Sequence, residues 1–392
     1  MTPKWFTNIC DVVRRESGLI RQRPLYILGS VGVMAVSALF FLTFLGEGIP
    51  QKLPIGVVDR DCTSTSRNFC RQLGSTQLGE VVSFDELADA RRAMETGRVC
   101  AFVLIPEHFN DDIQAFRCPK MGVYVNTMMP VIGGALSYKD ILTMVNLTNG
   151  AVQREALRSR GVNETEIMAR IQPIVVDAHT IGNGPTSYAY YLNNMILAGI
   201  LAMCIMLVVS YSLASEMKYG TSKELLARSG DSITVAVIAK LIPYTFIFTL
   251  LGVTMELLLF GMCHYPIKGS VGWMILAIFI MVLAYEAIAI FLVSLVPTLR
   301  LSVCISALYS ILGFSFAGFT LPVNSLPAGL QSLSVIFPLR FYYQIYCREV
   351  IYGTGFAAWW LYLVLMMLFM ALPCISSGRL YRAYKYQNYP RN

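Results

Sequence analysis

The chain has 392 residues, 55% of them hydrophobic and only 14% charged, with a net charge of +7 and a mean hydropathy of +0.56. A soluble domain is about 25% charged on average, so a soluble fold of this size cannot hide the apolar excess, which is collected in the long runs of a membrane protein. The positive charge sits beside those runs, which is the positive-inside pattern and not a nucleic-acid footprint.

In chain order, residues 1–24 read as an amphipathic elbow helix. Trp5, Phe6, Ile9, Val12, Val13, Leu19 and Ile20 recur at helical spacing, and Lys4, Asn8, Asp11, Arg14, Arg15 and Glu16 fill the other face. Such a helix lies in the membrane interface. Leu25–Leu45 is uncharged and long enough to cross the hydrocarbon core. It outruns a signal-peptide core, and Leu39–Leu45 continues past the small residues at Ala35–Ala38, so an uncleaved anchor (span one, residues 25–45) is expected.

Residues 46–186 alternate strands with helices, the pattern of an α/β domain. Strands are expected at Pro54–Asp59, Val81–Phe84, Val99–Ile105 and Met121–Asn126. Helices are expected at Ser64–Leu73, capped by Ser64 or Ser66, at Asp85–Thr96, capped by Asp85 and closed by Gly97, and at Pro106–Phe116. Val131 to Ile171 reads as long helical material. Cys62, Cys70, Cys100 and Cys118 fall here; they are free thiols, or one or more disulfides in an oxidising compartment, with three connectivities for two bridges and Cys62–Cys70 the locally easiest pair.

Residues 187–378 hold five more apolar runs: Tyr188–Leu213, Leu241–Phe260, Val271–Val296, Leu301–Leu321 and Phe356–Pro373. Ser325–Tyr352 is too polar to span. Its prolines and aromatics, within a segment 322–355, suggest short interfacial or re-entrant helices. Residues 379–392 form a basic tail with Arg379, Arg382, Lys385 and Arg391. Basic residues before span one, between spans two and three (Lys218, Lys223, Arg228, Lys240), at Arg300 and in the tail place those segments and both termini in the cytoplasm. Residues 46–186 then lie outside, because long domains cross regardless of charge.

The most specific segment follows span two: Ser215-Glu216-Met217-Lys218-Tyr219-Gly220-Thr221-Ser222-Lys223-Glu224-Leu225-Leu226-Ala227-Arg228-Ser229. It resembles the ABC-2 exporter permeases, in which an acidic-basic pair, Gly-Thr, an acid and Leu-Leu mark a short coupling helix. Lys240-Leu241-Ile242-Pro243-Tyr244 is similar to the family's Lys-x-x-Pro-Tyr. Phe316-Ala317-Gly318-Phe319-Thr320-Leu321-Pro322 with Leu326-Pro327, and Pro338-Leu339-Arg340-Phe341, resemble its motifs at and after span five. Asp59-Arg60-Asp61 and Val103-Leu104-Ile105-Pro106-Glu107-His108-Phe109 look like strands of the bacterial subgroup with a large insert after span one. Departures are Gly230 and Asp231 where a proline is common, and Ala317 for a serine.

The resemblance covers nearly the whole chain and implies a six-helix ABC-2 exporter fold with an extracytoplasmic (periplasmic) α/β domain, in a bacterial inner membrane. It implies a coupling helix at 215–230 docking on a separate ABC ATPase. Leu225 and Leu226 would be its apolar anchors, Glu216, Lys218, Lys223, Glu224 and Arg228 would set register, Gly220 would allow a sharp bend, and Thr221 would belong to the same interface. Taken alone, this loop reads equally as a solvated connection; the resemblance implies that the elbow helix also abuts the ATPase, and it reads equally as a plain membrane anchor. ATP and Mg would sit on the partner, and this chain would pair with itself or a related permease, in contact with lipid and with or without a periplasmic adaptor. The cargo, a drug, a lipid-like or another small molecule, would move outward.

No Gly-x-x-x-x-Gly-Lys-[Ser/Thr] occurs, so an ATPase must come in trans. His108, His179 and His264 are scattered, which gives no metal site, and no catalytic set stands out. Two acids fall inside spans. Glu286 is expected to line a path or to hydrogen-bond between helices, and Glu256 to reach the interface. Two other classes compete: an ion-coupled secondary transporter, which predicts an internal repeat that is not seen, and a membrane-anchored scaffold or receptor, which needs no coupling segment.

Overall fold

A computed structural model describes residues 4–46, 52–77, 79–115, 117–126, 131–172, 187–320 and 322–386. Leu321, residues 173–186 with His179, and the tail end with Arg391 lie outside the described residues. The chain divides into two compact units, one of Met1–Gly48 with Thr180–Asn392 and one of Ile49–His179.

The first unit begins with α1 (Lys4–Gln22) and the first apolar helix α2 (Pro24–Phe44), which contains a π turn at Leu28–Gly32. Pro24 opens α2 at a position where its missing N–H has no intrahelical partner to lose.

The second unit is an α/β fold. Its elements are β1 (Leu53–Asp59), α3 (Ser64–Gly74), β2 (Gly79–Phe84), α4 (Leu87–Glu95), β3 (Ala101–Ile105), α5 (Phe109–Gln114), β4 (Gly122–Val125), α6 (Val131–Ser159) and α7 (Glu164–Ile171). The sheet order is β2-β1-β3-β4, with β1 parallel to both neighbours and β4 antiparallel to β3. The central strands are apolar on both faces, as parallel strands covered on both sides must be. Ile55, Val57, Ala101, Val103 and Ile105 pack with Phe69, Leu73 and Ile141 on one face, and Val58 and Phe102 pack with Ala90 on the other. Gly56 has no room for a Cβ, which would meet Phe102 and the Phe84 ring.

Local chemistry shifts several expected boundaries. Thr63, not Ser64 or Ser66, caps α3; its side chain accepts from Ser66 N while the Ser66 hydroxyl accepts from Thr63 N, a reciprocal capping box. α4 starts after Glu86, which takes the N-cap position in place of Asp85 and makes no side-chain capping bond, and Gly97 closes it at φ +76°. α5 is shorter than expected because His108 adopts φ +60° immediately before it. Cys62, Cys70, Cys100 and Cys118 are all free thiols.

The first unit then resumes with α8 (Tyr188–Lys218), α9 (Ser222–Arg228), α10 (Ile233–Met262) and α11 (Val271–Leu295). α12 (Leu299–Phe316), α13 (Ala328–Leu333), α14 (Pro338–Tyr346) and α15 (Trp360–Tyr386) follow. Among the described residues six helices, α2, α8, α10, α11, α12 and α15, are long and apolar enough to cross a membrane. α10 begins earlier than its apolar run suggests, so Lys240 lies inside the helix, and α15 continues through most of the basic tail. The segment after α12 forms short helices as expected, but α14 is drawn into the core through Leu339, Phe341, Tyr342, Ile345 and Tyr346.

α8 and α11 form the axis, with 72% and 67% of their apolar windows buried against 17% for α2. α12 buries a stripe of small residues, Ser302, Ser306, Ser310 and Gly313; it packs along α8, where Ser210 Oγ bonds Ser306 Oγ at 2.7 Å. Small residues let helix backbones approach closely where no water drives association. A Cβ at Gly199 would strike the Phe314 ring, and one at Gly252 would strike Ile278.

Two predictions follow from this packing. Gly199→Val should overpack the α8–α12 contact by about 1–3 kcal/mol and lower the temperature at which the detergent-solubilised chain leaves its monodisperse chromatographic peak. Gly378→Ala, with open space around it, should leave that temperature unchanged or slightly raised. Burial pushes the Cys70 thiol up to about 11, while Cys62 and Cys118 are exposed. In iodoacetamide labelling at pH 8 followed by peptide mass spectrometry, Cys62 and Cys118 should alkylate well before Cys70.

Candidate functional site

The segment singled out by the sequence is a tight helical corner. α8 ends at Lys218, Gly220 reverses the chain at φ +72°, and α9 runs for seven residues. Gly230 (φ +70°) and Asp231 (φ +60°) then turn the chain into α10. A side chain at Gly230 would meet Asn8 of α1.

Leu225 and Leu226 point inward. They are buried, at 0% and 3% exposure, in the core of their own unit, where α9 packs against α1, α10 and α15. The expectation that they present an apolar surface to a partner is therefore corrected. A seven-residue helix has one apolar face, and the chain's own bundle occupies it. What α9 and its flank present outward is charge: Lys218, Lys223, Glu224 and Arg228, with Tyr219. Arg228 Nε donates to Glu224 Oε1 at 3.0 Å, and the Arg23 guanidinium lies 5.2 Å from the centre of the Tyr219 ring.

Glu216 is also turned inward, at 3% exposure, and it cannot set register with an outside protein. Arg15 of α1 grips it with two bonds, Nη1 to Oε1 at 2.8 Å and Nη2 to Oε2 at 3.0 Å. Lys240 Nζ of α10 donates to Glu216 Oε1 at 2.8 Å, and the Thr221 hydroxyl to Oε2. Lys240 also donates to Glu16 of α1, which accepts from Arg15 at 3.1 Å and from the Tyr244 hydroxyl at 3.2 Å. Two carboxylates and two cations thus share one nearly dry site, with Glu16 and Lys240 each at 1% exposure. Burial opposes the Arg15 charge, but its bonds to Glu216 and the nearby Glu16 and Glu224 outweigh that and hold the guanidinium above its ordinary value. Arg15 Nε approaches Glu224 Oε1 at 3.9 Å, the link from the buried cluster to the exposed face.

α15 locks the corner from the other side. The Ser222 hydroxyl donates to Tyr384 O at 2.9 Å, and the Tyr384 hydroxyl to Leu213 O at 3.0 Å. Asp231 accepts from Lys385 and Tyr381 at 3.0 and 2.9 Å, and these bonds depress its carboxyl below the usual value.

Glu16, Lys240, Tyr244 and Tyr384 were not singled out as site residues by the sequence. A signal for Glu16 exists: it falls in line with Val12 and Ile20, four residues to either side on one helix face, and both are buried. An acid on an apolar stripe needs a cation, and Lys240, inside an apolar helix, needs an acid.

The intramembrane acids separate. Glu256 does not reach the interface; it is fully buried, accepting from Tyr342 Oη at 2.7 Å and from Asn194 Nδ2 at 3.4 Å. Glu286 accepts from Thr245 Oγ1 at 2.7 Å, a bond between α10 and α11. A third acid, Glu349, accepts from Trp359 Nε1 and Ser270 N, both at 2.8 Å. Among the described residues no group of His, Cys, Asp or Glu has a metal-holding arrangement.

Six apolar helices, a short charged helix at the first unit's corner and an α/β unit define a multi-pass membrane protein of the transport-permease class. The chain belongs to the ABC-2 family transporter proteins, whose sequence model matches residues 25–374. It is 22% identical over 315 residues, 78% of this chain and 79% of the relative, to the inner membrane transport permease YhhJ of Escherichia coli (strain K12). The protein of that name from Shigella flexneri matches to the same extent.

Breaking a buried ion pair from one side leaves an uncompensated charge and costs about 3–5 kcal/mol. Lys240→Met should therefore sharply lower the heat survival of the purified chain. Adding Glu16→Gln to it should recover part of the loss, because one of the stranded carboxylates is removed. Additive losses in that double-mutant cycle would show that the two groups do not interact.

Proposed function

We propose that this chain is the membrane-spanning subunit of an ATP-driven exporter, and that the charged outer face of α9 is where a separate ATPase pushes on it. The observation that carries this is the coupling of exposed to buried charge at one corner, Glu224 to Arg15 to Glu216 and Lys240. A load on α9 is passed by that corner to α1, α8 and α10 together. Permeases of this family normally work with an ATPase subunit, and the similar YhhJ proteins are named inner membrane transport permeases.

On this reading α9, both termini and the corner face the cytoplasm, and the α/β unit lies outside. ATP and Mg are held by the partner, and no ATP chemistry falls to this chain. Two copies, or this chain and a related permease, enclose the path, and cargo leaves past the α/β unit with or without an adaptor. Docking runs on charge: Lys223, Glu224 and Arg228 steer and orient the ATPase, while Leu225 and Leu226 brace the helix from behind.

Co-purification tests this. Wild-type chain, tagged and gently solubilised, should bring down a P-loop ATPase in stoichiometric amount. Lys223→Glu/Arg228→Glu should reduce that yield at least tenfold and leave the chain's chromatographic profile and heat survival intact. Absence of an ATPase in several mild detergents, with vesicle activity unaffected by ATP, would favour a membrane-anchored receptor built on the α/β unit.

A further inference from the structure

Glu286 is 3% exposed, yet only one of its carboxyl oxygens is engaged. Oε2 accepts from Thr245, and Oε1 has no hydrogen-bond partner. Thr249 Oγ1, one turn further along α10, is likewise buried without a partner. Both residues line a cavity of ≈ 810 Å³ between α10, α11 and α15. Its remaining wall is mostly apolar, including Val237, Ile290 and Cys374. Ile238, Ile242 and Phe246, at 54%, 42% and 69% exposure, flank its open side.

A buried polar atom left unpaired is costly, and a carboxylate more so. Glu256 and Glu349 sit at similar burial with two donor groups each, so the bundle can satisfy an acid where it closes around one. Around Glu286 the helices stand apart and leave a volume typical of small-molecule pockets, apolar with a few polar groups. Glu286 lies about 14 Å from the Leu295 end of α11, at roughly 1.5 Å per residue. The cavity runs from Ile233 and Thr234 in the first turn of α10 to Thr249, so a ligand reaches Glu286 from that end or through the side flanked by Ile242 and Phe246.

We propose that this cavity binds a lipophilic organic cation carrying an N–H donor, with the ammonium or iminium group on Glu286 Oε1, a polar contact to Thr249 Oγ1 and the apolar body against the α10–α15 wall. An acyl chain alone fills such a groove but leaves Oε1 unpaired. A cation neutralises the acid and supplies the missing donor in one contact, and a charge-assisted bond in a dry site is among the stronger ones. The site lies within one chain and needs no ATPase, so it stands or falls independently of the exporter reading.

The test uses the full purified chain in detergent micelles, with fluorescence anisotropy of two lipophilic dyes, each compared between wild type and variant. Rhodamine 6G is a lipophilic cation with N–H donors, and Nile red is neutral. Wild type should bind both above the empty-micelle background. Glu286→Gln keeps the size and the Thr245 bond; it should weaken rhodamine 6G at least tenfold and leave Nile red within twofold. Cys374→Phe, on the cavity wall, should weaken both dyes. Equal binding of rhodamine 6G by wild type and Glu286→Gln would overturn the proposal and leave a lipid-filled groove. So would a wild type that binds neither dye, or a Cys374→Phe chain that binds both unchanged.

Discussion

The cluster of Arg15, Glu16, Glu216 and Lys240 is the constraint on which the first unit depends. Each member alone would be expensive at 1–11% exposure, because taking a single charge out of water costs several kcal/mol. Together they are neutral, and every carboxylate oxygen has a donor. The cost of separating them is what fixes the ends of α8 and α10 against α1. The flat guanidinium fork is required at Arg15, since it reaches both oxygens of Glu216 while still touching Glu16. An ammonium offers no such planar bidentate geometry.

From that corner the rest of the bundle follows by packing. α8 passes through the centre and packs along α12, which buries a stripe of small residues, while α11 packs on α8, α10, α14 and α15. In a bilayer no hydrophobic force pulls apolar helices together, so close approach and interhelical hydrogen bonds must do so. The bonds fall in layers: Ser210 to Ser306, Thr245 to Glu286, and Tyr342 and Asn194 to Glu256. The flanks of α2, α10 and α12 carry exposed Leu39, Phe246 and Leu308.

Much of this was legible in the sequence because membrane physics leaves few options. Runs of about twenty apolar residues gave all six helices, and alternation of strand and helix patterns gave the α/β unit with its two central apolar strands. What was lost was orientation. The pair Leu225-Leu226 announces an amphipathic helix, but sequence does not say whether the apolar face belongs to a partner or to the chain's own core. Glu216 and Lys240 looked like surface charges because their partners, Arg15 and Glu16, lie some 200 residues away in the sequence (201 for Arg15–Glu216 and 224 for Glu16–Lys240). Glu256 looked close enough to a helix end to reach water; Tyr342, on a helix expected at the interface, covers it instead.

Among the described buried acids of the first unit, Glu286 alone has a carboxyl oxygen without a donor. At the corner and at Glu256 and Glu349 every carboxylate oxygen has a donor, and the helices close around it. Low dielectric strengthens such networks and makes a gap in them conspicuous. At Glu286 Oε1 and Thr249 Oγ1, two groups lining one cavity between three helices, pairing fails. Thr245, one turn from Thr249 on the same helix, shows that α10 can supply a donor to Glu286. The second oxygen is left open. A bundle that needed Glu286 only to join α10 to α11 would be served as well by a neutral glutamine; a carboxyl facing an apolar chamber is the better group for holding a cation.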